Sequence, residues 1–231
     1  MYEHSRKSQD LAARLQVFMD EHIYPNEEAY AQQLKAAENR FAPLPLMDEL
    51  KLKAKEAGLW NLFVPEEHAE YCEHGGLSFF DYAPLAELMG RVIWCPEVFN
   101  CNAPDTGNME VFMNYATEAQ QREWLDPLLA GDIRSSYAMT EPQVASSDAT
   151  NVELRIEKDG NEWVLNGHKW FITNAMYERT KILIVMGKSD PENPSRHLQQ
   201  SQILVPKDTP GVKLVRPLTT LGYDDAPIGH A

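Results

Sequence analysis

The chain is short of basic residues, of cysteines and of long apolar runs, and each shortage excludes a kind of function. Its 21 Lys and Arg stand against 35 Asp and Glu, a formal charge of −14 over 231 residues. A general nucleic-acid surface needs a basic stripe, so no nucleic-acid partner is expected. The same charge disfavours anionic membranes, and any polyanionic ligand would need local basic residues set against the average. The three cysteines, Cys72, Cys95 and Cys101, are an odd number without paired spacing, which fits a reducing compartment. The longest purely apolar runs, such as 182–186, are far too short to span a bilayer. The first residues lack the basic–apolar–small pattern of a secretory signal. A soluble, cytoplasmic protein with no membrane span is the expectation. Ser-His-Asp constellations, Gly-rich phosphate loops, internal repeats and low-complexity segments are all missing. His68, Cys72 and His74 could be drawn as metal ligands by composition. Their spacing matches no closed tetrahedral motif, so they read as a polar loop and no metal site is expected.

What is present divides the chain in two. The first part has helical periodicity. Residues 5–23 place Leu11, Leu15, Phe18, Met19 and Ile23 at three- and four-residue steps. Pro25 separates this stripe from a second helix over about 26–39, and 46–58 puts Met47, Leu50, Ala54 and Ala57 on one face. A long connection over 59–78 precedes a helix over 78–91, with Ser78 as its cap. Further helices are expected after Pro104-Asp105-Thr106-Gly107-Asn108 and over 117–131, where Thr117 and Gln120 suit a capping box.

From Ser135 the pattern changes to short β-type runs, over 136–140, 152–157, 163–173, 181–187, 201–205 and 212–215. Asp159-Gly160 between two alternating runs is a strong hairpin signal. That hairpin would return the segment around Trp170–Thr173 toward Tyr137–Thr140. Helices followed by strands argue for an α+β protein of two domains, an α-helical one over 1–133 and a β-rich one over 134–231. At the meeting of the two segments, backbone amides, hydroxyls and an aromatic face would surround a planar ring with polar edges.

Several separated motifs occur in one order: Tyr137-Ala138-Met139-Thr140-Glu141-Pro142, then Ser146-Ser147-Asp148, then Asn166-Gly167-His168-Lys169-Trp170-Phe171-Ile172-Thr173-Asn174. Together they resemble the flavin-binding signature of the acyl-CoA dehydrogenases. The stretch Val144-Ala145-Ser146-Ser147-Asp148-Ala149-Thr150-Asn151 is similar to the branch that contains mammalian members 10 and 11. The resemblance implies an N-terminal all-α domain followed by a partial antiparallel β-barrel domain. It also implies that the family's C-terminal helical bundle, which carries the catalytic carboxylate, lies outside this chain, so no catalytic residue is nominated. Glu141 belongs to the flavin motif and is not the base.

By the same resemblance FAD is the cofactor. Tyr137, Met139, Thr140, Ser146, Ser147, Phe171, Ile172 and Thr173 would lie at it. Met139 and Thr140 would bond the ring edge, Phe171 would cover one face, and Thr173 would donate toward the nitrogen that receives hydride. Ser147 would lie between the flavin and the CoA chain, or serve only as a turn cap. Arg196, with His197, sits in a polar loop that is either solvated or in contact with the CoA 3′-phosphate. Thr106-Gly107-Asn108 would approach the acyl chain or simply start a helix. The implied reaction is dehydrogenation of an acyl-CoA to a 2,3-enoyl-CoA in fatty acid β-oxidation. An electron-transfer flavoprotein would be the acceptor and a homo-oligomer the complete enzyme. Two alternatives stand beside it: a non-catalytic flavin- or acyl-CoA-binding fragment, and a flavin-dependent acyl-CoA oxidase. Because the carboxylate is implied to lie elsewhere, the 231-residue chain alone, given FAD, acyl-CoAs and an artificial acceptor dye, is expected to leave the dye unreduced. Sustained turnover would contradict this.

Overall fold

In the computed structural model, residues 3–219 are described. The chain divides into two compact units, Met1–Asp132 and Ile133–Ala231. The first is helical. Helix α1, Arg6–Phe18, starts where the Ser5 hydroxyl accepts the Ser8 N–H. It runs on through a wider π turn, Met19–Ile23, so the apolar stripe continues to Ile23 as its spacing predicts. Helix α2, Glu27–Ala36, follows Pro25. Helices α3, Pro45–Glu56, α4, Phe79–Met89, α5, Cys95–Val98, and α6, Asp105–Tyr115, complete the set together with a helical run from Glu118 to Ala130. Ser78 accepts the Asp81 N–H at the start of α4, and the Thr117–Gln120 capping box forms.

The core of this unit is the union of the apolar faces: Leu11, Leu15, Met19 and Ile23 with Leu50, Ala54, Leu85, Met89, Phe99, Met109 and Phe112, all buried. A charged pair lies within it. Lys51 Nζ on α3 meets Glu97 Oε1 on α5 at 2.8 Å, and both side chains are nearly enclosed.

The second unit is a five-stranded mixed sheet. Its strands are β1, Arg134–Ala138, β2, Arg155–Asp159, β3, Glu162–Asn166, β4, Thr180–Lys188, and β5, Gln200–Pro206. β4 is the organising strand: Ile182–Val185 are buried without alternation, as in a strand covered on both faces. β1 pairs with it in parallel and β5 antiparallel, while β2 joins its far end at Arg155↔Lys188. The antiparallel pairings expected of the sheet are thus β2–β3 and β4–β5, and β1–β4 is parallel. The hairpin signal is met with the turn one residue on. Asp159 pairs with Glu162, and Gly160 stands first in the turn at φ +60, where a side chain would be strained.

Two expected strands differ. The run over 163–173 ends as a strand at Asn166, and 167–172 is irregular, because Phe171 and Asn174 take left-handed backbone angles that no strand accommodates. Residues 212–215 form no strand, and Val215 is 76% exposed. Among the described residues no strand pairs with them, although Val212 packs against the sheet core.

The sheet core gathers Ala138, Leu154, Ile156, Ile172, Ala175, Leu183 and Val185. Its tightest point is where β2 meets β4. A Cβ on Gly187 would stand 2.5 Å from Leu154 Cδ2 and 2.8 Å from the Leu154 carbonyl. Gly187→Ala should therefore cost about 1–3 kcal/mol through overpacking. Urea unfolding of the pair of proteins checks this, and an unchanged midpoint would contradict the packing described.

Candidate functional site

The residues that close the ends of β1 and β3 come together on one side of the sheet unit. Past the last residue of β1, the Thr140 carbonyl accepts the Trp170 N–H at 3.1 Å, and the Thr140 hydroxyl donates to the Trp170 carbonyl. The chain leaving β3 thus crosses the end of β1, as the hairpin predicts. Trp170 and Phe171 pack edge to face at 5.0 Å between centroids and remain 39% and 42% exposed. Two large aromatic rings are held at the surface beside a strand end.

Phe171 is held there at φ +52, a conformation that costs a non-glycine residue about 1 kcal/mol or more. The neighbouring residues impose it. Ile172 is drawn into the sheet core, and Asn174, also left-handed and fully buried, donates its amide to the Ser135 carbonyl at 3.1 Å. The Thr180 hydroxyl in turn donates to the Asn174 carbonyl at 2.8 Å. With both ends fixed, the loop turns the Phe171 ring outward.

Beneath this loop lies a buried ion pair. Lys169 Nζ donates to the Met139 carbonyl at 2.8 Å, to Glu141 Oε1 at 2.8 Å and to the Met186 carbonyl at 2.7 Å. Glu141, only 3% exposed, also accepts the Leu154 N–H on Oε1 at 2.9 Å and the Glu153 N–H on Oε2 at 2.7 Å. Burial pushes the Glu141 carboxyl upward, but Lys169 and the two amides outweigh it and hold it below the ordinary carboxylate range. Burial also draws the Lys169 ammonium below its usual value, against the pull of Glu141.

The loop over 144–151 is tied by its own side chains. Ser146 Oγ accepts the Glu141 N–H at 2.9 Å, so this hydroxyl shapes the turn that leaves Glu141. Asp148 Oδ1 accepts both the N–H and the hydroxyl of Thr150, which lowers its carboxyl, and Arg196 adds to the effect. Arg196 crosses from the β4–β5 connection to donate to Asn151 Oδ1 at 3.1 Å, and stands 3.8 Å from Asp148 Oδ2. Ser147 is exposed. It precedes the Asp148 that Arg196 approaches, and Thr140 is bonded to Trp170, the chain neighbour of Phe171.

The remaining expected site residues are placed differently. Tyr137 is half-buried along β1, its hydroxyl accepting from Gln202 at 3.0 Å. The side chain of Ile172 is enclosed, so only its backbone faces anything outside the core. Thr173 is half-buried. In the helical unit, Thr106 lies in the first turn of α6, and Asn108 is buried in that helix. His74 bonds the Asn61 carbonyl and Cys72 Sγ accepts the Gly76 N–H, so both shape their loop. No cluster of metal-ligating side chains occurs among the described residues.

The pair that sequence reasoning left without a role is Glu141 and Lys169. The signal available was a lone lysine between a strand and an aromatic pair, and a lone glutamate next to a buried strand end. The arrangement fits a flat heteroaromatic ligand. The Met139 and Thr140 carbonyls are taken up by Lys169 and Trp170. With the Thr140 hydroxyl also spent on the Trp170 carbonyl, backbone amides are what this stretch offers to a ligand's carbonyl oxygens, next to an exposed ring held out for stacking.

The described residues form a helical unit followed by a mixed sheet unit with two exposed aromatic rings at a strand end. Residues 5–132 match the acyl-CoA dehydrogenase N-terminal domain and residues 136–231 the acyl-CoA dehydrogenase middle domain, so the chain belongs to the acyl-CoA dehydrogenase family. Mouse acyl-CoA dehydrogenase family member 10 is 48% identical over 95% of this chain, which covers 20% of that protein. A solved Mycobacterium abscessus structure carrying a provisional acyl-CoA dehydrogenase name is 46% identical, with a TM-score of 0.90, over 99% of this chain and 57% of its own. A Mycobacterium smegmatis glutaryl-CoA dehydrogenase in complex with FADH2 shares the fold at 22% identity and a TM-score of 0.67, over 98% of this chain and 51% of its own. The chain spans between 20% and 30% of the first curated relatives it matches.

The Glu141 shift has a consequence for acid stability. A carboxyl held low stabilises the fold fully above its unfolded value near 4.5, and that contribution is lost as pH falls through the lower folded value. Glu141→Gln should therefore flatten the fall in stability as pH drops below about 5. Urea midpoints across that range check it, and parallel curves for the two proteins would contradict it.

Proposed function

We propose that this chain contributes part of the cofactor and substrate cradle of an FAD-dependent dehydrogenase that converts acyl-CoA thioesters to 2,3-enoyl-CoA. What supports the reading most is one observation: the end of β1 meets an exposed, left-handed Phe171 across the Thr140–Trp170 bonds. When bound, FAD supplies the acceptor for the hydride that leaves the substrate β-carbon. Backbone groups of Met139 and Thr140 orient the ring edge, and Phe171 covers one face and keeps water from it. Thr173 directs its hydroxyl toward the ring nitrogen that receives hydride. Ser147 lies along the CoA chain, and Arg196 answers its phosphate charge within a chain of −14 overall.

Glu141 does not take the α-proton. Both of its oxygens accept bonds from inside the protein, and a carboxylate so engaged and enclosed cannot reach a substrate carbon. No residue of this chain is assigned the α-proton. The electrons then pass to an electron-transfer flavoprotein, and the complete enzyme is a homo-oligomer acting in lipid metabolism. No helix among the described residues is long and apolar enough to cross a membrane.

Titrating FAD into the protein and following flavin fluorescence tests the reading. Thr173→Val keeps the β-branched shape and deletes the hydroxyl. It should weaken FAD by about two- to tenfold, the worth of one hydrogen bond at roughly 0.5–1.5 kcal/mol, with the thermal midpoint nearly unchanged. Unchanged flavin affinity would reduce Thr173 to a packing residue.

A further inference from the structure

We infer that Lys169 and Glu141 are positioning residues for the ring site: their buried pair holds the two halves of the cradle at a fixed separation. This rests on the flavin reading above. The half made by β1 contributes Met139 and Thr140, and the half made by the chain leaving β3 contributes Trp170 and Phe171. Lys169 belongs to the second half and bonds the first directly, through the Met139 carbonyl and the Glu141 carboxylate. Its third bond, to the Met186 carbonyl, fastens both halves to the end of β4. Glu141 does the same for the entry to β2, through the amides of Glu153 and Leu154.

An ammonium has three donors, and here all three have acceptors at 2.7–2.8 Å. Nothing in that arrangement can slide without breaking a bond to a charged group. Phe171 is two residues from this anchor, in a backbone conformation that an unrestrained chain would leave. The anchor and the buried Asn174 hold the loop from its two sides, so the ring stands in place before any ligand arrives. Preorganisation of this kind is read in affinity, because a ligand no longer has to order the loop.

A pair that only stabilised the fold would behave otherwise. Its loss would lower the thermal midpoint, as the Met139 and Met186 carbonyls and the Glu153 and Leu154 amides lose partners, and would leave the affinity of the ring site alone. The double variant Glu141→Gln/Lys169→Met therefore separates the two roles. Its thermal midpoint should fall in either case, because buried backbone groups lose their partners. FAD affinity should fall by at least about tenfold, and hydrogen exchange at the Trp170 amide should quicken by a similar factor. The reference variant Lys51→Met/Glu97→Gln removes the other buried pair and should leave both readouts unmoved.

Affinity and exchange that stay put in the Glu141/Lys169 variant, or that move equally in the reference variant, would overturn the proposal. Should the double variant not fold, Lys169→Arg keeps the charge but cannot send three bonds from one atom, and the same two readouts decide. If the unsubstituted protein takes up no FAD, the flavin reading fails. Exchange at Trp170 then decides the positioning role by itself: faster exchange supports it and unchanged exchange overturns it.

Discussion

One ammonium group, enclosed under a loop and bonded to three oxygens, sets the geometry of the sheet unit's functional end. Lys169 cannot be stripped of water unless every donor finds an acceptor, and the acceptors come from the ends of two strands and from Glu141. Satisfying it draws together β1, β4 and the chain leaving β3. Glu141 faces the same demand and answers it with two amides from the entry to β2. The exposed aromatic pair rests on this frame. A sheet held by ladder bonds alone would leave its loop ends to fray.

The parts of the fold that depend on periodicity and punctuation were legible in the sequence. The stripe from Leu11 to Ile23, the Thr117–Gln120 box and the Asp159-Gly160 hairpin all express local physics, and each is in the structure. The apolar run on β4 carried its burial openly, as a strand covered on both faces must. Strand ends were legible less well. Residues 167–173 look like the continuation of β3, but long-range bonds from Asn174 and Trp170 bend the chain out of extended geometry. Residues 212–215 alternate as a strand does without a partner to pair with among the described residues.

The site was legible through spacing and order, while its mechanics were not. Motifs at 137–142, 146–148 and 166–174 pointed to one place, and the structure bonds Met139 to Lys169 and Thr140 to Trp170, on the segment that carries Phe171. That Ser146 closes a turn, that the Ile172 side chain faces the core, and that Arg196 reaches Asn151 are three-dimensional facts with no one-dimensional signature. Glu141 illustrates the difference. As a letter in the sequence it belongs to the flavin motif without a mechanical role. As a side chain 3% exposed with both oxygens engaged, it is a structural anion. The strongly negative average likewise hid the use of one cation, since Lys169 works inside the sheet unit.

The central claim is that Phe171 is held out to cover a flavin ring at the end of β1. A crystal structure of the FAD-loaded protein measures this directly. The account predicts the isoalloxazine within van der Waals contact of the Phe171 ring, its carbonyl edge on backbone N–H groups of the Met139–Thr140 stretch, and the Lys169–Glu141 bonds intact. A flavin bound elsewhere on the chain, or one at this end of the sheet with Phe171 turned away from it, would contradict the account.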